Sequence, residues 1–322
     1  MKNIFLYLTF VAARLGLAAI TIFGVATLVF FGMRLIPGNY ADLFFPLASE
    51  TDRLLIEIEY GLDKSAFQQY LIWLGKMLQG DFGTSLVTKK PVIDEIVARL
   101  PLTLELGGLA LLIIALVGFP LGIISGMFNT SKVSQTGRHF STILMSVPNF
   151  VLGALLVYVF SVYDLGLNAG GWVPISESLT ENLRYAILPA FTLSITGIGL
   201  VLATTRSSTM QVMGQDHILA AVSRGLQPRH IYGRHIYRNT LIPIITIFAI
   251  FTGYLLGGTV LIEAVYSLDG VGRLLVNSIN RRDYPIVQTG VILTATVFVL
   301  TNTIADLLYG IIDPRVAEKK DG

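Results

Sequence analysis

Six long stretches of this chain carry almost no charge, and no soluble core could hide them all. They are Leu15–Met33, Leu106–Met127, Phe140–Tyr163, Tyr185–Thr205, Leu241–Ile262 and Tyr284–Ala305. A helix rises about 1.5 Å per residue, so about 20 apolar residues cross a hydrocarbon layer of about 30 Å, whereas core helices of soluble proteins seldom hold runs beyond about 14. The expected fold class is all-α: a polytopic membrane protein with six transmembrane helices. Composition agrees, with 53% hydrophobic and 14% charged residues, against about 25% charged in ordinary soluble domains. A net charge of +2 gives no reason to expect nucleic acid as a partner. The chain has no cysteine, which excludes disulfides, thiolate catalysis and cysteine metal sites.

The first run lies between Arg14 and Arg34 and exceeds the apolar segment of about 7–15 residues in a cleaved signal peptide, so it is expected to persist as the first span. Lysines and arginines concentrate in short cytoplasmic loops. With both termini inside, the cytoplasmic segments hold Lys2, Arg14, Lys132, Arg138, Arg206, Arg224, Arg229, Arg234, Arg238, Arg315, Lys319 and Lys320. The opposite side then carries most of the acids, among them Asp42, Asp63, Asp81, Asp94 and Glu95. Both termini are therefore expected to be cytoplasmic. The organisation read from these patterns is residues 1–34 for the N-terminal segment and first span, and 35–100 for an external loop. A five-span core of 101–313 with a cytoplasmic loop at 207–240 follows, then a tail at 314–322.

Two external segments show structure of their own. Phe67, Tyr70, Leu71, Leu74 and Leu78 keep helical spacing, and Pro91 suits the first turn of a second short amphipathic helix through Ile93, Ile96 and Leu100. Between the fifth and sixth spans, a turn signal at Asp269, Gly270 and Gly272 precedes Leu274, Leu275 and Ile279, and predicts a segment folded back on the bundle.

Within the spans, Gly118, Gly122 and Gly126 form a doubled small-xxx-small pattern that suits close helix packing, and Gly253 with Gly257 repeats it once. Glycine is also simply common in membrane helices. Pro120, Pro148 and Pro189 are candidate kinks. Glu105 and Glu263 stand at span ends, where solvated positions are expected, and Asp306, at the cytoplasmic end of the last run, suits a structural pairing.

The polar loop from Arg206 to Arg238 is long enough for two short helices. Ile218, Ala221, Val222 and Gly225 share a helical face, Ala220 and Ala221 would let the helix sit close in a partner's groove, and Gly225 suits a helix C-terminus. Docking to a protein and attraction to anionic headgroups both fit this segment. His217, His230 and His235 lack metal-ligand spacing. No phosphate-binding Gly-rich motif for nucleotide hydrolysis occurs.

These residues together resemble the permease subunits of dipeptide and oligopeptide ABC importers, of the type with a long first external loop. The resemblance is carried by RLIPG at Arg34–Gly38, DFGxS at Asp81–Ser85, RxPxTLELG at Arg99–Gly107 and AAxxxG at Ala220–Gly225. Further strings are RHxxRNxLIP at Arg234–Pro243, IExxYxLxGxGxLxxN at Ile262–Asn277, RDYP at Arg282–Pro285 and IDPR at Ile312–Arg315. It implies a type I importer permease fold with a cytoplasmic coupling helix, no catalysis and no cofactor in this chain, and a bacterial inner-membrane location. Implied partners are a second homologous permease, two ATPase subunits that bind ATP and Mg, an external solute-binding protein, and lipid. The implied coupling residues are Asp216, Ala220, Ala221, Gly225, Arg234, His235, Asn239 and Pro243, and the implied external hairpin includes Asp269, Gly270, Gly272, Arg282 and Asp283. Leu219 stands where the general importer motif opens with glutamate. Asp216 matches an acid common in the peptide branch, so the resemblance implies docking without a carboxylate at that first position. A secondary transporter would want intramembrane ion ligands or inverted repeats, and neither is evident. The substrate is not encoded in these patterns.

Overall fold

The computed structural model describes residues 2–35, 63–128, 131–163, 165–227, 230, 233 and 237–312. All named elements within this set are helical. Helix α1 is Lys2–Arg34 and α2 is Ala66–Leu78, while α3 (Val92–Ile113) continues through a π turn at Ile114–Gly118 into α4 (Phe119–Met127). Helix α5 is Lys132–Ser146, α6 is Asn149–Val162, α7 is Leu179–Met213 and α8 is Asp216–Ser223. Helix α9 is Tyr237–Val265, α10 is Val271–Asn280 and α11 is Tyr284–Ile312.

Among the described residues, four helical stretches are long and apolar enough to cross a membrane: Val11–Arg34, Val92–Met127, Leu179–Met213 and Tyr284–Ile304. The pair α5 and α6 would make a fifth if counted as one span, but it bends by 87°. The expected span over Phe140–Tyr163 is broken sharply at Pro148, one of the candidate kinks. Pro148 offers no N–H and holds Val147 in an extended conformation (φ −81°, ψ 120°), so the helix ends at Ser146 and restarts in a new direction. The expected fifth run, Leu241–Ile262, lies inside α9.

The expected edge of the external loop at residue 100 is crossed without a break. Pro91 precedes the first residue of α3, Asp94 and Glu95 occupy its first turn, and the helix passes through Pro101. From Val92 to Met127 it runs 36 residues, about 54 Å at helical rise and well beyond the bilayer core. The π turn lies directly before Pro120, whose ring would otherwise meet the carbonyl four residues back, at Leu116.

Helix α2 starts in a reciprocal cap between Ser65 and Gln68. It clasps the end of α1: the Tyr70 hydroxyl lies 2.8 Å from Thr27 Oγ1, Arg34 donates to Gln69 Oε1 at 2.6 Å, and the Phe30 ring meets Tyr70 edge-on and Trp73 at a tilt. The packed face is thus Tyr70, which is buried, and Trp73, which is half-buried, while Phe67, Leu71 and Leu78 of the expected apolar stripe are exposed.

Helix α7 is the hub, packed by α3, α4, α5, α6 and α9. The core between them holds Leu106, Ile114, Leu193, Ile198, Phe251 and Leu255. The glycines of α4 explain how closely it approaches. A Cβ on Gly118 would lie 3.1 Å from Ile198 O, one on Gly122 2.9 Å from Leu202 O, and one on Gly126 2.8 Å from Arg206 O. Any side chain there would push the two backbones apart. Gly253 accommodates the Phe298 ring, while a Cβ on Gly257 would meet no described atom within 4 Å.

Candidate functional sites at the two ends of the bundle

One candidate site is α8, joined to the hub α7 by only Gly214 and Gln215. Ile218 is buried against Val212, with Met213 and Ala221 alongside. Asp216, His217, Ala220 and Ser223 stay exposed. Gly225 lies just past the helix with φ +73°, and Leu226 N–H donates to Ala221 O at 3.2 Å. That left-handed residue and 6→1 bond form a Schellman ending. No described atom crowds a Cβ there, so the glycine serves backbone conformation and not close packing. Ala221 turns toward the chain's own core while Ala220 faces outward, which separates two residues that the sequence pattern grouped. Arg234 and His235 lie outside the described residues, as do the side chains of Asn239 and Pro243 on α9 and of Asp306 on α11. A short, stiffly capped helix on a two-residue tether can act as a lever on α7, because a push on α8 has little slack in which to dissipate.

At the opposite end, motifs far apart in sequence converge. Asp283, only 2% exposed, accepts from the Ser85 hydroxyl and from Leu86 N–H at 3.0 Å. Val87 N–H points at the same carboxylate, at 3.4 Å. The segment around Ser85 is pinned to the start of α3 by bonds from Val92 N–H to Gly83 O and from Ser85 N–H to Lys90 O. Glu95 in that first turn accepts from the Thr88 hydroxyl and pairs with Arg99 at 3.3 Å, and Arg99 also reaches Asp269 at 3.2 Å.

Beside this cluster stands Glu263, which is fully buried (0% exposed). It accepts from Thr103 Oγ1 at 2.9 Å and from Arg273 N–H at 2.7 Å, while Val271 N–H donates to Thr103 Oγ1 at 2.9 Å. Val271 and Arg273 are the first and third residues of α10, whose N-cap is Gly270. The carboxylate of α9 and the hydroxyl of α3 therefore supply the cap that α10 lacks a side chain to make, and a negative group suits a helix N-terminus. Gly270 is needed for this: a Cβ would sit 2.6 Å from Glu263 Oε2. Gly272 likewise lies against the Val260 backbone, where a Cβ would come 2.9 Å from Val260 Cα.

Two expectations are corrected by this geometry. Glu263 is not a solvated span-end residue, and Glu105 accepts from Trp172 Nε1 at 2.9 Å with its other oxygen buried. The pairings of Ser85 with Asp283 and of Thr103 with Glu263 join residues 198 and 160 positions apart, which no local pattern exposes. The one local signal was a glycine at an N-cap, where a capping side chain normally stands. Arg282 adopts φ +55°, at the sharp turn that delivers Asp283 into the cluster. Among the described residues, no group of three or more His, Asp or Glu side chains is placed to hold a metal ion.

Comparison with known proteins places this architecture. Residues 118–318 match the family described as the binding-protein-dependent transport system inner membrane component, and residues 7–107 match the N-terminal region described for such membrane components. The chain belongs to this permease family. The di/tripeptide transport system permease protein DppB of Pseudomonas aeruginosa is 34% identical, over 97% of this chain and all of that protein. The oligopeptide transport system permease protein AppB of Bacillus subtilis is 36% identical, over 91% of this chain and 94% of that protein. The glutathione transport system permease protein GsiC of Salmonella choleraesuis is 34% identical, over 97% and 100%. The permease is an inner-membrane component of a transport system, as the resemblance implied. Ser85 and Thr103 fall in the N-terminal match, and Glu263 and Asp283 in the C-terminal one, so the buried network stitches the two matched regions together.

Proposed function

We propose that this permease forms half of the translocation pathway of an ATP-driven, binding-protein-dependent importer of peptides or related small solutes, paired with a second homologous permease. Two ATPase subunits bind ATP and Mg and act on α8, and an external binding protein delivers the solute. This chain performs no chemistry of its own. ATP binding by the partners shifts the pathway between inward-open and outward-open states, which is a change of population between two conformations.

The observation that carries the reading is α8 itself: an exposed, Schellman-capped helix tethered to the hub helix by two residues, in a chain of this family. Relatives named for dipeptides, oligopeptides and glutathione support a peptide-like solute. The excess of lysine and arginine on the α8 side supports cytoplasmic termini.

The absence of native cysteine makes the test direct. With an Ala220→Cys variant in the assembled importer, a short thiol cross-linker should join this chain to an ATPase subunit, and the purified chain should carry two ATPase copies per permease pair. Solute uptake by the permease alone, independent of ATP, would refute the assignment.

A further inference from the structure

We propose that Thr196, Leu200, Ala203, Thr204, Ser207 and Gln211 of α7 form a wetted wall of the translocation pathway, reaching from mid-membrane to the α8 end. The proposal rests on the permease reading above and names the surface along which the solute would move.

Helix α7 is enclosed on several sides, but two sets of its residues remain accessible, and they differ in chemistry. Ile187 and Phe191, in the half remote from α8, are apolar and exposed. From Thr196 onward Thr196, Leu200, Ala203, Thr204, Ser207 and Gln211 are accessible and mostly polar, and their spacing at 3.6 residues per turn places them on one face; toward α8 the flanking Arg206, Ser208, Met210 and Met213 are accessible as well. Nine residues separate Ile187 from Thr196, two and a half turns, so the polar stripe points away from the direction in which Ile187 and Phe191 point. A lipid-facing surface would keep the apolar chemistry of Ile187 and Phe191 along its whole length.

The packing agrees. Gly118, Gly122 and Gly126 of α4 press on Ile198, Val201, Leu202, Thr205 and Thr209, which lie on the face of α7 opposite the stripe. Ser141 and Met145 of α5 close over Gly199 on one flank. At the upper end of the stripe, Thr196 donates to Asn149 Oδ1 at 2.8 Å, at the elbow between α5 and α6. Thr142 and Ser146, on the last two turns of α5 before that elbow, are exposed as well.

From Thr196 to Gln211 the wall is about 22 Å long at helical rise. It carries no charge, because Arg206 turns aside to donate from Nε to Ser134 Oγ at 3.0 Å. Hydroxyl and amide groups both donate and accept hydrogen bonds. Such a wall can satisfy the backbone groups of a short peptide in passage without selecting its side-chain charge, so the solute class it fits is rich in amides, whatever charge its side chains carry.

The test uses single cysteines in the complete importer, in inverted membrane vesicles, with a charged membrane-impermeant thiol reagent. The variants Thr204→Cys and Ser207→Cys should react about tenfold or more faster than Phe191→Cys and Leu155→Cys, since charged reagents are excluded from the hydrocarbon region. A transported dipeptide should slow the reaction at the stripe alone. Rates equal to those of Phe191→Cys would overturn the proposal, as would unreactive cysteines that cross-link to the second permease. ATP-dependent uptake, measured on the same vesicles, reports separately on the permease reading, so either idea can fail without the other.

Discussion

If Glu263 caps α10 in place of a side chain at Gly270, the two positions should be coupled with a sign that depends on background. Replacing Glu263 by alanine leaves Thr103 Oγ1 without its acceptor and Arg273 N–H unbonded in a buried site. At about 1–3 kcal/mol for each buried orphan, the loss is about 2–6 kcal/mol, and the cavity adds to it. In the native background, Gly270→Ser should also destabilise, because its Cβ would lie 2.6 Å from Glu263 Oε2. Gly270 has φ −92° and ψ 178°, however, an extended conformation that serine adopts freely at an N-cap. In the Glu263→Ala background the clash is gone, and the serine hydroxyl can accept from Arg273 N–H, restoring about 1 kcal/mol. The double variant should therefore be more stable than Glu263→Ala alone, although each single change is harmful. Thermal unfolding of the four proteins, purified in the same detergent with their partners, measures this cycle. A Gly270→Ser effect of the same sign and size in both backgrounds would refute the trans-cap.

Three further outcomes follow from the same geometry. Gly225→Val should cost about 1–2 kcal/mol at the end of α8, because the residue sits at φ +73°; Gly225→Asn should be tolerated better, and transport per ATP hydrolysed should fall for valine first. Asp283→Ala should destabilise by about 1–3 kcal/mol for the buried Leu86 N–H alone and free the 81–88 segment, read as faster amide exchange there, whereas Asp269→Ala, which removes an ion pair from an exposed acid, should cost at most about 1 kcal/mol. Gly122→Val should separate α4 from α7 and lower the yield of folded protein far more than Gly257→Val, since only the first position has a backbone carbonyl 2.9 Å from the new Cβ; equal yields would count against the close-packing argument.

Hydropathy exposed α1, α7, α9 and α11, because a helix in lipid must be apolar along its length whatever its neighbours are. It was blind to direction. The run Phe140–Tyr163 is continuous as composition, yet Pro148 divides it into two helices at 87°, and α6 alone, at 14 residues, spans only about 21 Å. Span-end acids were misread for a related reason. Position along a helix says how deep Glu263 lies, but not that Thr103 and the α10 backbone stand beside it to satisfy the charge. The α2 stripe shows the same limit: Phe67 and Leu71 keep helical spacing, yet the face that packs is set by the ring of Phe30 on α1. The motif strings did identify Ser85, Thr103, Glu263 and Asp283 as positions within a shared pattern. Only the fold shows that they touch.

The π turn at Ile114–Gly118 places one surplus residue in a helix that must deliver Gly122 and Gly126 to Thr205 and Thr209. Were the same residues wound as ordinary α-helix, with no wide turn to absorb the surplus, all that follows would rotate by about 100°, swinging both glycines away from the hub and presenting bulkier neighbours in their stead. Winding in this stretch is thus constrained more tightly than identity: Leu116, largely exposed, can change its chemistry, whereas the wide turn between Ile113 and Phe119 keeps the phase of the seam.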